Sequence, residues 1–94
     1  ETNLTTNTIA DGLKTQLGDI NFPIIKKHVE RIIRVTENEI ILSLRLIWER
    51  LKIVCEPSCA VALAALIREK NKFRNKKIGI IISGGNVDLS KLPF

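Results

Sequence analysis

The sequence predicts an α/β fold in which helices flank a partial, open and twisted sheet. Three observations favour that class. Residues 78–82 are almost wholly apolar, which is typical of a strand covered on both faces. Residues 60–67 are apolar on every side and predict a helix that is buried all round. The predicted elements follow the order helix, strand, helix, helix, strand, which suits helices packed on a sheet.

Each predicted helix begins at a local signal. Asn21-Phe22-Pro23 starts the first helix, because the first turn accepts a proline. Thr36 and Glu39 form a capping box at the start of the second helix. Pro57 opens the third, because proline disfavours helix at the residue before it and so leaves Glu56 at the helix N-terminus.

Two stretches are predicted strands. Residues 31–36 are short, β-branched and bounded by charge, which favours a place near a sheet edge. Two strands are too few for a complete sheet, because their edges would stay unpaired beside a wholly apolar helix. The chain also starts at Glu1 and ends at Phe94, soon after the second strand. We therefore expect residues 1–94 to be one incomplete domain, a fragment of a longer protein.

The second predicted strand runs into Ser83-Gly84-Gly85-Asn86. Ligands of open α/β sheets usually bind at the carboxyl ends of strands. Glycines allow a close approach to the backbone, while Ser83 and Asn86 offer neutral hydrogen-bonding groups. Taken alone, the same four residues favour a turn that simply ends a strand, because Gly and Asn are the commonest turn formers.

The composition narrows the class of partner. The net charge is +5, and six of the fifteen basic residues lie in residues 68–77. That position suits a solvated helix end, although an anion- or nucleic-acid-binding module that uses residues 68–77 is the alternative. With one Trp and three Phe, no stacking platform accompanies the charges, so we expect no nucleic-acid partner. No apolar stretch reaches the roughly 18 to 20 residues that span a bilayer, so we expect no membrane partner.

Cys55 and Cys59 flank Glu56-Pro57-Ser58. Neither a second cysteine pair nor a nearby histidine completes a zinc-binding set, so we assign no metal ligand. Two free thiols in an apolar neighbourhood behave as small buried hydrophobic residues, which fits a reducing, cytoplasmic setting.

Six short motifs follow one another along the chain, and the ordered series is more specific than any single motif. They are Ile9-Ala10-Asp11-Gly12-Leu13, Phe22-Pro23-Ile24-Ile25, Val35-Thr36-Glu37, Leu46-Ile47-Trp48-Glu49-Arg50, Glu56-Pro57-Ser58 and Ser83-Gly84-Gly85-Asn86-Val87-Asp88-Leu89. In these motifs the chain resembles the serine racemase and serine/threonine dehydratase family, from about Thr8 to Phe94. The first and fourth motifs are more similar to serine racemase and hydroxyaspartate ammonia-lyase than to the threonine deaminases.

The resemblance implies a pyridoxal-phosphate enzyme of fold type II, the tryptophan synthase beta-like fold, with residues 1–94 as the C-terminal part of its large domain. The parent would be a cytoplasmic homodimer that removes the Cα proton of serine, threonine or 3-hydroxyaspartate, and then expels the β-hydroxyl or racemises. The family's Schiff-base lysine and phosphate loop lie N-terminal to the matched region. We therefore expect no catalytic residue in this chain and no activity when it is isolated.

The resemblance also implies roles for individual residues. Ser83 would hydrogen-bond the pyridine nitrogen of the cofactor, and as a neutral group it would do little to stabilise a protonated ring. Gly84 and Gly85 would keep the wall beside the ring thin, with Asn86 as a further pocket residue. Glu56 would lie near the ring and the domain interface, although a plain charge at a helix N-terminus explains it equally well.

The resemblance also implies residues that contribute to substrate binding and to regulation. Asp11 matches a position on the substrate side of the pocket, although an Asp-Gly turn is the favoured explanation. In nucleotide-regulated members, residues that match Lys52, Glu56 and Asn86 take part in an ATP-linked site between subunits. Regulation by ATP and a divalent cation would therefore arise outside this chain or at its edge. Cys59 stands where many relatives have Gly or another small residue, and its sulfur would narrow the space beside the cofactor.

Overall fold

The computed structural model describes residues 7–94, and the regular elements in that range are all helical. Three α-helices are formed, α1 at Asn21–His28, α2 at Glu37–Leu46 and α3 at Pro57–Arg68. A π-helical turn, Ile47–Leu51, continues α2 without a break. Shorter 3₁₀ turns lie at Asp11–Leu13, Lys70–Phe73 and Leu89–Lys91. No helix in the described range is long and apolar enough to cross a membrane.

The predicted starts of α2 and α3 are confirmed. The Thr36 hydroxyl oxygen accepts from the backbone N–H of Glu39 at 3.2 Å, and the Thr36 N–H donates to Glu39 Oε1 at 2.9 Å. Both bonds satisfy N–H groups that the helix itself leaves without partners. Pro57 occupies the first turn of α3, and Glu56 before it is extended, with φ −80° and ψ 160°. The local sequence therefore fixes where both helices begin.

The core lies between α2 and α3. Ile40, Leu44 and Ile47 contribute large side chains from one helix, while Cys59 and Ala60 of α3 face them. The small residues of α3 let the two helices approach closely. The same packing holds the link between the helices, where Cys55 is fully buried and its carbonyl accepts from Trp48 Nε1 at 3.0 Å.

The prediction that α3 is buried all round is wrong for this chain. Cys59, Ala60 and Ala64 face α2 and are buried, but Ala62 and Ile67 on other faces are exposed. A helix that is apolar on every side needs neighbours on every side, and residues 7–94 supply them on one side.

The predicted partial sheet is not found in residues 7–94. Residues 31–36 begin without regular structure and end at the α2 cap, and residues 78–82 form no ladder with them or with any other described residue. Ile32 is 78% exposed and Ile81 is 84% exposed, whereas an Ile in a doubly covered strand would be buried. A strand exists through the hydrogen bonds of a neighbouring strand, so the correct apolar pattern is not enough when that neighbour is missing.

Candidate functional site

The glycine segment (residues 83–86) lies directly against the start of α3. The backbone N–H of Glu56 donates to the Gly84 carbonyl oxygen at 3.1 Å. A Cβ atom built on Gly85 would stand 2.7 Å from the carbonyl oxygen of Val54. Because that neighbour is a backbone atom, a side chain at Gly85 would force the two segments apart. The glycine therefore permits the close contact that positions this segment.

The Cys59 thiol fastens the same segment to the first turn of α3. Its Sγ atom lies 3.2 Å from both the backbone N and O of Gly84, and 3.4 Å from Ser83 Oγ. The side chain of Cys59 is 3% exposed. The resemblance implied that the Cys59 sulfur lies beside the cofactor, but nothing in the sequence indicated that this sulfur contacts Ser83.

Ser83 and Glu56 are two polar side chains next to Gly84. Ser83 is exposed, and Glu56 is partly buried. A Cβ on Gly84 would lie 2.6 Å from Glu56 Oε1, so the carboxylate lies over the peptide next to Ser83. The pair presents a neutral hydroxyl and a carboxylate at one edge of the chain. Such an edge can bind a polar ring through hydrogen bonds while the glycines leave room for its face.

The predicted substrate-side residue is tied to the same helix end through its neighbour. The Gly12 N–H donates to Ser58 Oγ at 2.8 Å, and a Cβ on Gly12 would lie 2.9 Å from that oxygen. The Asp11 carboxylate itself is exposed and pairs with Lys14 at 3.1 Å. The structure therefore places the Asp11–Leu13 turn beside α3, and Ser58 is a contact that the sequence reasoning missed.

Lys52 and Asn86 are not joined to Glu56 by their side chains. Lys52 ends the π-helical turn in the left-handed region, with φ 57°, and is exposed, as is Asn86. Within residues 7–94, neither side chain makes a hydrogen bond or an ion pair. No side-chain bond joins Lys52, Glu56 and Asn86 in the described residues, so their shared nucleotide site stays a prediction.

Metal binding and a reactive thiol are two further kinds of chemistry on which the described residues bear. No three His, Cys, Asp or Glu side chains among residues 7–94 come together as metal ligands would. Burial raises the pKa of the Cys55 thiol, and the neighbouring Cys59 and Glu56 raise it further. Cys55 is therefore a protonated core residue at neutral pH and makes a poor nucleophile.

The basic segment (residues 68–77) is partly neutralised by its own chain. Arg68 pairs with Glu39 at the start of α2, and Lys72 lies 3.7 Å from the carboxylate of Glu69. Arg74 donates to the side-chain oxygen of Asn71 at 3.3 Å. These contacts are those of a helix end and the loop after it, so they do not favour the alternative of an anion-binding module.

At this site an apolar run ends in a serine and two glycines, which lie against the N-terminus of α3. Residues 1–84 match the family described as pyridoxal-phosphate dependent enzyme, and the chain belongs to that family. The resemblance found in the six motifs is thereby confirmed.

Relatives within the family agree with that assignment. The chain is 56% identical over 88 residues to the serine racemase of Dictyostelium discoideum, covering 92% of this chain and 27% of the relative. It is 45% identical over 87 residues to the beta-hydroxyaspartate dehydratase of Paracoccus denitrificans (strain Pd 1222), covering 93% of this chain and 28% of that protein.

A solved structure shares the fold of this chain. The crystal structure of serine racemase from Dictyostelium discoideum superposes with a TM-score of 0.82 at 55% identity, covering 90% of this chain and 29% of that one. This chain therefore spans less than a third of the length of these relatives, and its fold is that of a piece of a fold-type II enzyme.

The residues of the glycine segment fit an edge of pyridoxal phosphate. A pyridine nitrogen needs one hydrogen-bonding partner; Ser83 is exposed, and its neutral hydroxyl can donate or accept. A flat ring needs a thin wall, and Gly85 leaves no room for a side chain between the segment and Val54.

Proposed function

We propose that this chain is the C-terminal part of the large domain of a pyridoxal-phosphate dependent ammonia-lyase or racemase that acts on hydroxy amino acids. The observation that carries the proposal is the placement of Ser83. This exposed serine stands at the end of an apolar run, and the Glu56 carboxylate lies against the next residue, Gly84. The sequence similarity to a serine racemase and a beta-hydroxyaspartate dehydratase supports the choice of substrate class.

In the proposed enzyme, Ser83 hydrogen-bonds the ring nitrogen of the cofactor. Bound pyridoxal phosphate supplies an electron sink for breaking bonds at the α-carbon of an amino acid. A neutral hydroxyl leaves the ring less electron-withdrawing than a carboxylate partner would, so Ser83 tunes the strength of that sink. Glu56 adds negative charge beside the segment, and Gly84 and Gly85 exclude side chains from the ring edge.

The remaining assignments concern the whole protein. The substrate is serine, threonine or 3-hydroxyaspartate, and Cα proton removal is followed by loss of the β-hydroxyl or by racemisation. Asp11 lies on the substrate side, and Lys52, Glu56 and Asn86 contribute to an ATP-linked site. The rest of the parent enzyme supplies the Schiff-base lysine and the phosphate loop, so the isolated chain is inactive. The parent works in the cytoplasm as a homodimer.

The test uses the full-length protein that contains this chain, loaded with pyridoxal phosphate. We expect a visible absorption band that borohydride reduction removes, together with conversion of a hydroxy amino acid to a 2-oxo acid and ammonia, or to its enantiomer. Ser83→Ala should lower kcat/KM about tenfold and shift the band, because the ring nitrogen loses a hydrogen-bonding partner.

Ser90→Ala is the matched control. Ser90 is also an exposed serine near the C-terminal end, but its hydroxyl bonds to Asp88 at 2.6 Å within a local turn. It should leave kcat/KM and the spectrum unchanged. A full-length protein that binds no pyridoxal phosphate, or a Ser83→Ala variant with the wild-type spectrum, would contradict the proposed role.

A further inference from the structure

Cys59 makes more polar contacts with the glycine segment than any other side chain in residues 7–94. Its sulfur meets both polar backbone atoms of Gly84 at 3.2 Å and the Ser83 hydroxyl oxygen at 3.4 Å. The side chain is almost fully buried. A cysteine that only filled space in the core would not need to be aligned with three polar atoms of one segment.

Cys59 has one thiol proton, so it can donate a hydrogen bond in only one of these contacts at a time. A thiol carries one proton, and its sulfur can also accept. The Gly84 N–H is a donor, so the sulfur accepts from it. The thiol proton then has two candidate acceptors, the Gly84 carbonyl oxygen and Ser83 Oγ.

The two acceptors are not equally supplied with donors. The Gly84 carbonyl oxygen already accepts from the Glu56 N–H at 3.1 Å. Within the described residues, Ser83 Oγ has Cys59 Sγ as its hydrogen-bonding partner. A thiol proton directed to Ser83 therefore reaches an oxygen that lacks another protein donor in the described residues, while the Gly84 carbonyl oxygen keeps its bond from the Glu56 N–H.

We propose that Cys59 is a positioning residue for Ser83: the thiol accepts from the Gly84 N–H and donates to Ser83 Oγ, so that the Ser83 proton points outward. The inference rests on the proposed function and deepens it. A hydroxyl held in this way donates its proton to an unprotonated ring nitrogen. With the Cys59–Ser83 bond reversed, Ser83 would present lone pairs and would require a protonated ring instead.

The experiment uses the full-length protein and three variants. Cys59→Ala removes the sulfur, Cys59→Ser keeps a donor and an acceptor at the same place, and Cys55→Ala removes a sulfur from another buried position. The Cys55 side chain makes no hydrogen bond to the glycine segment among the described residues, so this variant controls for the loss of core volume. Thermal unfolding of each variant verifies that it folds.

The first readout needs no cofactor. In the protein free of pyridoxal phosphate, backbone hydrogen exchange is followed for a peptide that contains residues 80–88. Cys59→Ala should speed exchange at the Gly84 amide, because its acceptor is lost, while Cys59→Ser and Cys55→Ala should keep it slow. Equal exchange in the wild type and Cys59→Ala would overturn the proposed contact whatever the protein does with the cofactor.

The second readout is the cofactor itself, added to the cofactor-free protein in a spectroscopic titration. Cys59→Ala should raise the Kd for pyridoxal phosphate roughly two- to tenfold, the range expected for one lost hydrogen bond, and shift the visible absorption maximum. Cys59→Ser should restore both values. Wild-type Kd and spectrum in Cys59→Ala, or equal changes in Cys59→Ala and Cys55→Ala, would overturn the positioning role. A wild-type protein that binds no cofactor would instead overturn the proposed function, and the outward orientation with it.

Discussion

Gly84 and Gly85 have no Cβ atom, and the contacts of the glycine segment depend on that. Gly85 sits where a Cβ would come within 2.7 Å of the Val54 carbonyl oxygen, and backbone atoms on both sides resist displacement. At Gly84 the nearest obstacle is Glu56 Oε1, the end of a flexible side chain that can turn away. The two neighbouring glycines therefore differ in what a substitution would cost.

Gly85→Ala should be the more disruptive of the two changes. We expect it to lower the free energy of unfolding by about 1–3 kcal/mol, the usual range for overpacking, and to weaken binding of pyridoxal phosphate. Urea denaturation and cofactor titration of the full-length protein measure both effects. Gly18→Ala is the control, because a Cβ there meets nothing within 4 Å and Gly18 lies outside the apolar run of residues 78–82. Equal effects of the two substitutions would show that the approach to Val54 is not what constrains Gly85.

The buried Cys55 thiol gives the fold a dependence on alkaline pH. Burial holds its pKa above the ordinary value of 9.0, so the folded state keeps the proton more tightly than the unfolded chain does. The resulting stabilisation is complete below that value and is lost as the pH rises through the raised pKa. Unfolding midpoints of the full-length protein should therefore fall above about pH 9. Cys55→Ala should show a smaller fall, and an identical fall in both proteins would contradict this origin.

The residues of the site were partly predictable from sequence. Ser83 and the glycines stood out because an apolar run ends at them, and Pro57 placed Glu56 at a helix start. The contact between Cys59 and Ser83 could not be predicted, because 24 residues separate them and no periodicity relates a helix to a distant loop. The bond from Gly12 to Ser58, across 46 residues, escaped for the same reason.

At the scale of elements, the helices followed from local chemistry and the sheet did not. A capping box or a proline in the first turn acts within four residues, so its effect is present in any piece of the chain. The ladder of a strand depends on a partner that lies elsewhere in sequence. Residues 78–82 therefore have the composition of a buried strand, but they find no partner in residues 7–94.

The capping box of α2 offers a test of that local control. Thr36→Ala removes the oxygen that accepts from the Glu39 N–H, and we expect a loss of about 0.5–2 kcal/mol in the free energy of unfolding. The same box, with the Thr36 N–H as the largest cause, lowers the pKa of Glu39. Stabilisation by that carboxylate is therefore present above its unfolded pKa and is lost as the pH falls through the lowered value.

Urea denaturation of the full-length protein at neutral and acidic pH measures this contribution. Thr15→Ala is the control, since Thr15 is exposed and lies outside any helix. Both proteins should lose stability at acidic pH, where Glu39 is protonated, because the backbone N–H that bonds to its carboxylate is present in each. A Thr36→Ala variant as stable as Thr15→Ala at neutral pH would contradict a stabilising role for the box.

At the scale of the whole molecule, many large apolar side chains in residues 7–94 are exposed. Ile20, Ile32 and Ile81 are each more than three-quarters exposed, and the face of α3 opposite α2 carries further apolar residues. Contiguous exposed apolar surface marks a place where another segment packs. The chain spans less than a third of the length of its relatives, which agrees with the view that the remainder of the parent enzyme covers these residues.

The isolated 94 residues should therefore bind a dye that fluoresces on apolar surface, and should unfold without a sharp cooperative transition. Mixing them with the remaining part of the full-length protein, expressed separately, should reduce dye binding and restore one cooperative transition, because residues 78–82 and α3 then gain the neighbours that their composition requires. A mixture with an unrelated protein of similar size is the control. If the lone chain unfolds cooperatively and binds no dye, residues 1–94 form a domain that is complete in itself, and the exposed isoleucines belong to an ordinary surface.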